Sequence, residues 1–377
     1  MGINEIGILG CGGYIGKYAT EKLLRLGFHV KGGQRKEPQN IEINDNFRFV
    51  SIDVKDKQQL DTFIQSCDIV VNCISPSYLY GKIVKDAVCE QNKIYVDPSD
   101  MGFVKDGESV TGKCVASCGY IPGMSEFFPY ILFRQNFDEI ERVIAYQGGF
   151  DGCSPGAFVD MILGAGNKNL CGDAYILNGK ITPLSTNFKK IYKIPFTQKK
   201  VIFKPIINRD SVMLQKKINS KEHYFFCTYD NMDTLSFFMN LLIEVGKYDK
   251  NTAAENIERK LYEKIKTDKT FGKERVSAYL FFELAGKKEK EERTIVGRIF
   301  LKNVNRLCGN FLGEVVKHIS MNQRQISEGI NYAFEILDAE YSRKILEELE
   351  EDEYIKIAEI PTQERLDIHN ILNKKGK

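Results

Sequence analysis

The chain lacks an excess of charge of either sign: 53 lysines and arginines face 51 aspartates and glutamates across 377 residues. No overall field therefore draws it to nucleic acid or to an anionic membrane, and any basic site has to be local. Long apolar runs are also missing. The longest, such as 235–245, fall short of the roughly 20 residues that a membrane span needs. The N-terminus enters a strand pattern at once (Glu5-Ile6-Gly7-Ile8-Leu9) with no basic segment or cleavage site, so no signal peptide is expected. The ten cysteines form no CxxC pair, Cys114 and Cys118 being the closest spacing, and the four histidines lie far apart. A structural metal is not expected, and the cysteines read as free thiols of a cytoplasmic protein. Internal repeats, low-complexity linkers, basic stripes and heptads are absent too, which removes solenoid, coiled-coil and nucleic-acid-binding roles.

What is present is an alternation. A chain of this length exceeds one ordinary core and predicts two domains. In its first third, apolar strands at 6–9, 28–31, 47–53, 68–73, 94–96 and 113–117 alternate with helical patterns at 15–26, 57–66 and 81–91. Strand–helix alternation implies right-handed crossovers and a doubly wound parallel sheet, an α/β fold. Beyond Gly123 the rhythm changes. A helix at 127–134 and a strand at 139–147 lead to a glycine-spaced stretch (Gly148, Gly149, Gly152, Gly156), and 174–230 reads as strands and loops. Helices follow at 233–245 and 253–266, then two strands, 276–284 and 293–301, joined by a longer loop over 286–292. The division expected is 1–123 for the first domain, 124–320 for an α+β substrate or dimerisation domain, and 321–377 for C-terminal helices packing back on the first.

The first strand runs into Gly10-Cys11-Gly12-Gly13-Tyr14-Ile15-Gly16 and then into a helix. A glycine pattern at this point of a βαβ unit is the fingerprint of a Rossmann-type dinucleotide site. Gly10 permits the tight turn, Gly12 and Gly13 let a pyrophosphate approach backbone N–H groups, and Gly16 lets the helix pack close to the sheet. All seven residues are cofactor-binding candidates. The next strand ends in Gln34-Arg35-Lys36, with no acid where one would bind the ribose 2′-hydroxyl of NAD. These three offer donors for a 2′-phosphate, so NADP(H) is favoured over NAD(H), the alternative being an ordinary basic turn. Asp53, after the third strand, is either near the adenine or a turn residue.

Several segments together resemble the saccharopine dehydrogenase-like reductase family. They are the glycine loop, Val70-Val71-Asn72-Cys73-Ile74-Ser75-Pro76, Tyr80-Gly81, Ile94-Tyr95-Val96-Asp97 and Gly119-Tyr120-Ile121-Pro122-Gly123-Met124-Ser125. The resemblance is good over 1–130 and topological beyond. It implies hydride transfer at a C–N centre of an amino-acid-derived substrate, with thiazolinyl imine reduction on a siderophore or peptide intermediate as one alternative and a non-catalytic NADP-sensing protein as another. A small-molecule substrate, carrier-bound under the first alternative, and a homodimer are further expectations.

Ligands of open α/β sheets bind beyond the carboxyl ends of the strands. Cys73, Ile74, Ser75, Ser117 and Gly119 would then lie against the cofactor, and Tyr80, Tyr95 and Asp97 are the candidates for proton transfer, with Ser99 beside them. Asp97-Pro98 is equally a turn former. Cys73 and Cys118 are expected to fill space. In the second domain Tyr146 and Asp151, with Ser154 and Asp160, either line the substrate cavity or belong to a plain loop with capped helices. Arg209, Arg275, Arg293 and Arg298 are alternative carboxylate anchors.

Overall fold

The computed structural model describes residues 5–39, 41–105, 107–149, 154–165, 170–184, 191–193, 200–268, 278–301, 303–337, 345, 347 and 355–357. Its first part runs β1 (Glu5–Leu9), α1 (Gly16–Arg25), β2 (His29–Gln34), β3 (Phe47–Ser51), α2 (Lys57–Gln65), β4 (Ile69–Asn72), α3 (Ser77–Glu90), β5 (Ile94–Val96) and β6 (Lys113–Ala116). The strands form one parallel sheet in the order β3-β2-β1-β4-β5-β6, extended beyond β6 by the strand Gly329–Tyr332. Both faces are covered, so β4 is buried along its whole length, as parallel strands must be. Ile6, Ile8, Val71 and Val96 face α1, whereas Leu9, Val70 and Tyr95 face α2 and α3 with Leu60, Phe63, Val84 and Val88. This is the predicted doubly wound Rossmann-type fold.

Gly329–Tyr332 corrects the expectation of an all-helical tail. Four residues carry too short a pattern to distinguish strand from helix, and pairing with β6 across more than 200 positions decides it. Just before it, the helix Val304–Met321 lies against α1. A Cβ on Gly309 would stand 2.5 Å from Tyr18 Cβ, and one on Gly313 2.5 Å from Lys22 Cγ, so small residues set this close crossing. Lys22 Nζ meets the buried Glu314 carboxylate at 2.6 Å on the same seam.

The second sheet is mixed. Its centre is β7 (Glu139–Gly148), paired in parallel with Glu222–Tyr229 and antiparallel with Ala278–Lys288. Ala278–Lys288 and Glu291–Leu301 form a hairpin whose two-residue turn, Glu289-Lys290, has both φ positive (52° and 72°). The longer loop expected over 286–292 is therefore replaced by strand, because a left-handed pair matches strand twist without extra residues. Two helices tie the sheets together. In α4 (Met124–Asn136), Phe127 meets Phe311 at 5.1 Å and Phe128 meets Phe282 at 5.5 Å, one ring for each layer. The other is α6 (Arg209–Ile218), in a region expected to hold strands and loops; Asn208 caps it and Asn219, at φ 52°, ends it. Before it, α5 (Pro155–Ala165) packs with Met232–Val245 and Lys250–Thr267 as a helical layer touching Tyr78. No described helix is long and apolar enough to cross a membrane.

Candidate functional site

The glycine loop is shaped by its own backbone. Gly10 sits at φ 79° and donates to the Gly33 carbonyl at 2.7 Å. A Cβ there would lie 2.8 Å from the Cys73 carbonyl oxygen, and one on Gly16 would lie 2.0 Å from the Gly10 carbonyl oxygen. Only hydrogen fits at either place. Gly12 is pressed differently: a Cβ would meet Pro38 at 2.6 Å and Gln34 at 2.8 Å. No side chain caps α1, and its first turn holds no acid. A bare helix N-terminus behind small residues is an anion cradle, and it fits a pyrophosphate. The other loop residues divide by direction. Tyr14 is 58% exposed, Ile15 packs on the core, and Cys11 is buried, its thiol pushed up to about 12 by burial. Cys11 therefore meets the loop with backbone only.

At the end of β2, Gln34 Oε1 accepts the Gly12 N–H at 2.7 Å and Gln34 Nε2 donates to the Lys36 carbonyl at 2.6 Å. Both ends of this amide brace the loop. Arg35 and Lys36 follow it with exposed side chains. Asp53 is exposed, and its Oδ1 accepts the Lys55 N–H at 3.0 Å, as in a turn.

The three loops after β4, β5 and β6 do converge. Asn72 Nδ2 donates to Tyr95 Oη at 2.9 Å and to Asp97 Oδ2 at 3.2 Å, and the Tyr95 hydroxyl donates to the same carboxylate oxygen. Asn72 Oδ1 accepts the Ile74 N–H at 3.2 Å, and Asp97 Oδ1 accepts the Ser99 N–H at 2.8 Å. This buried knot fixes the Cys73–Ser75 segment against the 97–99 turn. Burial, with Asp97 beside it, holds the Tyr95 phenol well above its ordinary range, and burial also raises Asp97. Tyr80 stands elsewhere, on α3, with Lys55 Nζ 5.4 Å from its ring centre. The proton-transfer candidates are thus split into a closed internal pair and a residue beside the turn that follows β3. The Cys73 and Cys118 thiols are raised by burial.

Ser117 takes φ 57° at the end of β6, and its hydroxyl donates to Asp210 Oδ1 at 2.6 Å, joining the first sheet to α6. Gly119 packs so closely that a Cβ would stand 2.7 Å from the Pro98 carbonyl oxygen. In the following turn Glu126 Oε2 accepts the Gly123 N–H at 2.9 Å and the Ser125 hydroxyl at 2.7 Å. Sequence reasoning missed Asp210 and Glu126. Their only local signal is an acid in a helix's first turn.

From the other domain, Asp160 on α5 reaches α3. Its Oδ2 accepts the Ser77 N–H at 2.8 Å and its Oδ1 the Tyr78 N–H at 3.0 Å. Tyr146 is fully buried, stacked on Phe281 at 4.5 Å between ring centres. Strand alternation points it into the core with Ile144 and Phe203, which corrects its expected place in a cavity wall. Asp151 and Arg275 lie outside the described residues. Arg209 donates to the Val104 carbonyl at 3.2 Å, while Arg293 and Arg298 belong to the hairpin. Among the described residues no group of three or more His, Cys, Asp or Glu side chains is placed to hold a metal ion.

Burial of these acids makes stability depend on pH. It raises Glu126 from 4.5 and Asp160 from 3.8, each to about 7. Between about pH 4 and pH 7 the folded chain therefore binds protons that the unfolded chain has released. Their contribution to stability is full below that window and is lost as pH rises through it. Glu126→Gln is expected to flatten the fall in melting temperature between pH 5 and pH 8. An unchanged slope would show that Glu126 is ionised throughout.

Comparison with known proteins adds to this geometry. Residues 6–114 match the saccharopine dehydrogenase NADP binding domain model. A comparison with curated protein sequences finds no match. Among solved structures, apo saccharopine dehydrogenase (L-Glu forming) from Saccharomyces cerevisiae aligns over 95% of this chain and 100% of its own, at 13% identity and a TM-score of 0.59. A meso-DAPDH mutant from Clostridium tetani, solved with DAP, aligns over 92% and 99%, at 13% identity and a TM-score of 0.45. The yeast likeness establishes the two-domain fold.

Proposed function

We propose that the protein is an NADP-dependent oxidoreductase that transfers hydride at a C–N centre of a small amino-acid-derived substrate. The observation that carries this reading is the uncapped glycine cradle followed by exposed Arg35 and Lys36 at the end of β2. The matched NADP binding domain and the saccharopine dehydrogenase fold support it. The residues divide the work by position. The loop from Gly10 to Gly16 would hold the pyrophosphate, and Arg35 with Lys36 would pair with the 2′-phosphate. Ile74 and Ser75, anchored through Asn72, would lie along the nicotinamide half. When bound, the nicotinamide supplies or accepts the hydride. The buried Tyr95–Asp97 pair holds the loop that would orient it and keeps its own proton out of solvent.

That same closure of Tyr95 and Asp97 on each other favours a second reading, a protein that binds NADP(H) and senses its redox state without turnover. Titration with NADPH and with NADH, followed by nicotinamide fluorescence, tests both at their root. Tight NADPH binding is expected, and binding of neither dinucleotide would overturn both. Oxidation of bound NADPH on addition of cyclic imines of amino acids separates the enzyme from the sensor.

A further inference from the structure

The loop 73–76 is held from three sides, and the third has no counterpart in the glycine loop or the Tyr95 knot. From one side the Gly10 backbone packs on Cys73 and Ile74, where no Cβ fits. From below, Asn72 ties Ile74 to Tyr95 and Asp97. From the second domain, α5 lies across the loop: a Cβ on Gly156 would stand 2.0 Å from Ser75 Oγ. One turn further along α5, Asp160 puts one oxygen on each of the first two N–H groups of α3. Pro76 precedes that helix and offers no side-chain cap. The cap is therefore supplied from more than 80 residues away, by another domain.

We propose that Asp160 is a positioning residue of the cofactor site, which clamps the start of α3 to α5 and so sets the 73–76 loop against the glycine cradle. The proposal rests on the reading of that loop as cofactor-binding. An N-terminal cap is a strong local constraint because it pairs N–H groups that no helical carbonyl can reach. A carboxylate spanning two successive N–H groups also fixes the angle at which the chain enters the helix. Here that angle sets where Ile74 and Ser75 stand relative to Gly10. The same contact fixes how the second domain meets the first at this loop, so any substrate held by that domain faces a loop already set by Asp160.

The test uses the full-length protein and two variants at pH 8, above the range in which Asp160 takes up its proton. In Asp160→Ala both acceptors are lost. Hydrogen exchange at the Ser77 and Tyr78 amides is expected to speed up about tenfold, and the Kd for NADPH to rise about tenfold. In Asp160→Asn one acceptor remains, so one amide keeps its protection and Kd takes an intermediate value. This graded rescue is a readout that general loss of stability does not give. Faster exchange with an unchanged Kd would leave Asp160 as a plain helix cap and overturn the proposal. Unaltered exchange in the alanine variant would overturn the clamp itself. If the wild-type protein binds no dinucleotide, the reading of the site fails instead, and amide exchange still reports the clamp.

Discussion

Replacing Gly16 by alanine is expected to cost the protein about 3 kcal/mol of stability, at the upper end for an overpacked position. It should lower the melting temperature by roughly 4 °C, and the dinucleotide site should fail with it. The added methyl would stand 2.0 Å from the Gly10 carbonyl oxygen and 2.9 Å from its carbon. Both are backbone atoms at the bottom of a turn, with no rotamer to move away. Relief requires α1 to slide from the sheet, and α1 also carries the close crossing with the helix Val304–Met321. The N–H groups of the loop would then be displaced from any pyrophosphate. Gly246→Ala is the control. It ends a helix at φ −69° with nothing within 4 Å of its added methyl, and it should change stability by no more than about 0.5 kcal/mol. Equal melting temperatures for Gly16→Ala and Gly246→Ala would sink the packing argument.

The Arg35→Ala protein is expected to bind NADPH about 10- to 100-fold more weakly, with its affinity for NADH almost unchanged. The range follows from hydrogen bonds to a charged group, worth about 1.5–3 kcal/mol. Gln34 is neutral and braced by the Gly12 N–H and the Lys36 carbonyl, and Arg35 and Lys36 bring exposed positive charge to the place of a 2′-phosphate. Arg35 offers a planar fork suited to phosphate, which lysine does not reproduce. Gln34→Ala should behave differently, weakening both dinucleotides together, because it releases the loop that each of them shares. A parallel loss of NADPH and NADH affinity in Arg35→Ala would remove the residue from cofactor selection.

The parts of the site that were legible in the sequence are those made by short stretches of chain. Four glycines in seven residues after a buried strand announce a turn that no other residue can make, and Gly10 and Gly16 have the contacts that reading requires. The basic end of β2 was visible for the same reason. Tyr146 was misplaced because alternation along a strand tells which residues share a face but not what lies over it. Tyr95 and Asp97 were marked by their position after a strand. Only their mutual hydrogen bond, and the one from Asn72, showed that they serve each other.

By itself, then, the sequence determined the doubly wound sheet, the glycine turn between β1 and α1 and the change of architecture past Gly123, since local propensity and hydrophobic period act over a few residues. Tertiary structure alone decided the strand Gly329–Tyr332, the Ser117–Asp210 bond and the Asp160 cap. Each joins residues some 80 to more than 200 positions apart, and a polar group on either side carries no local mark of the partner that burial will force on it.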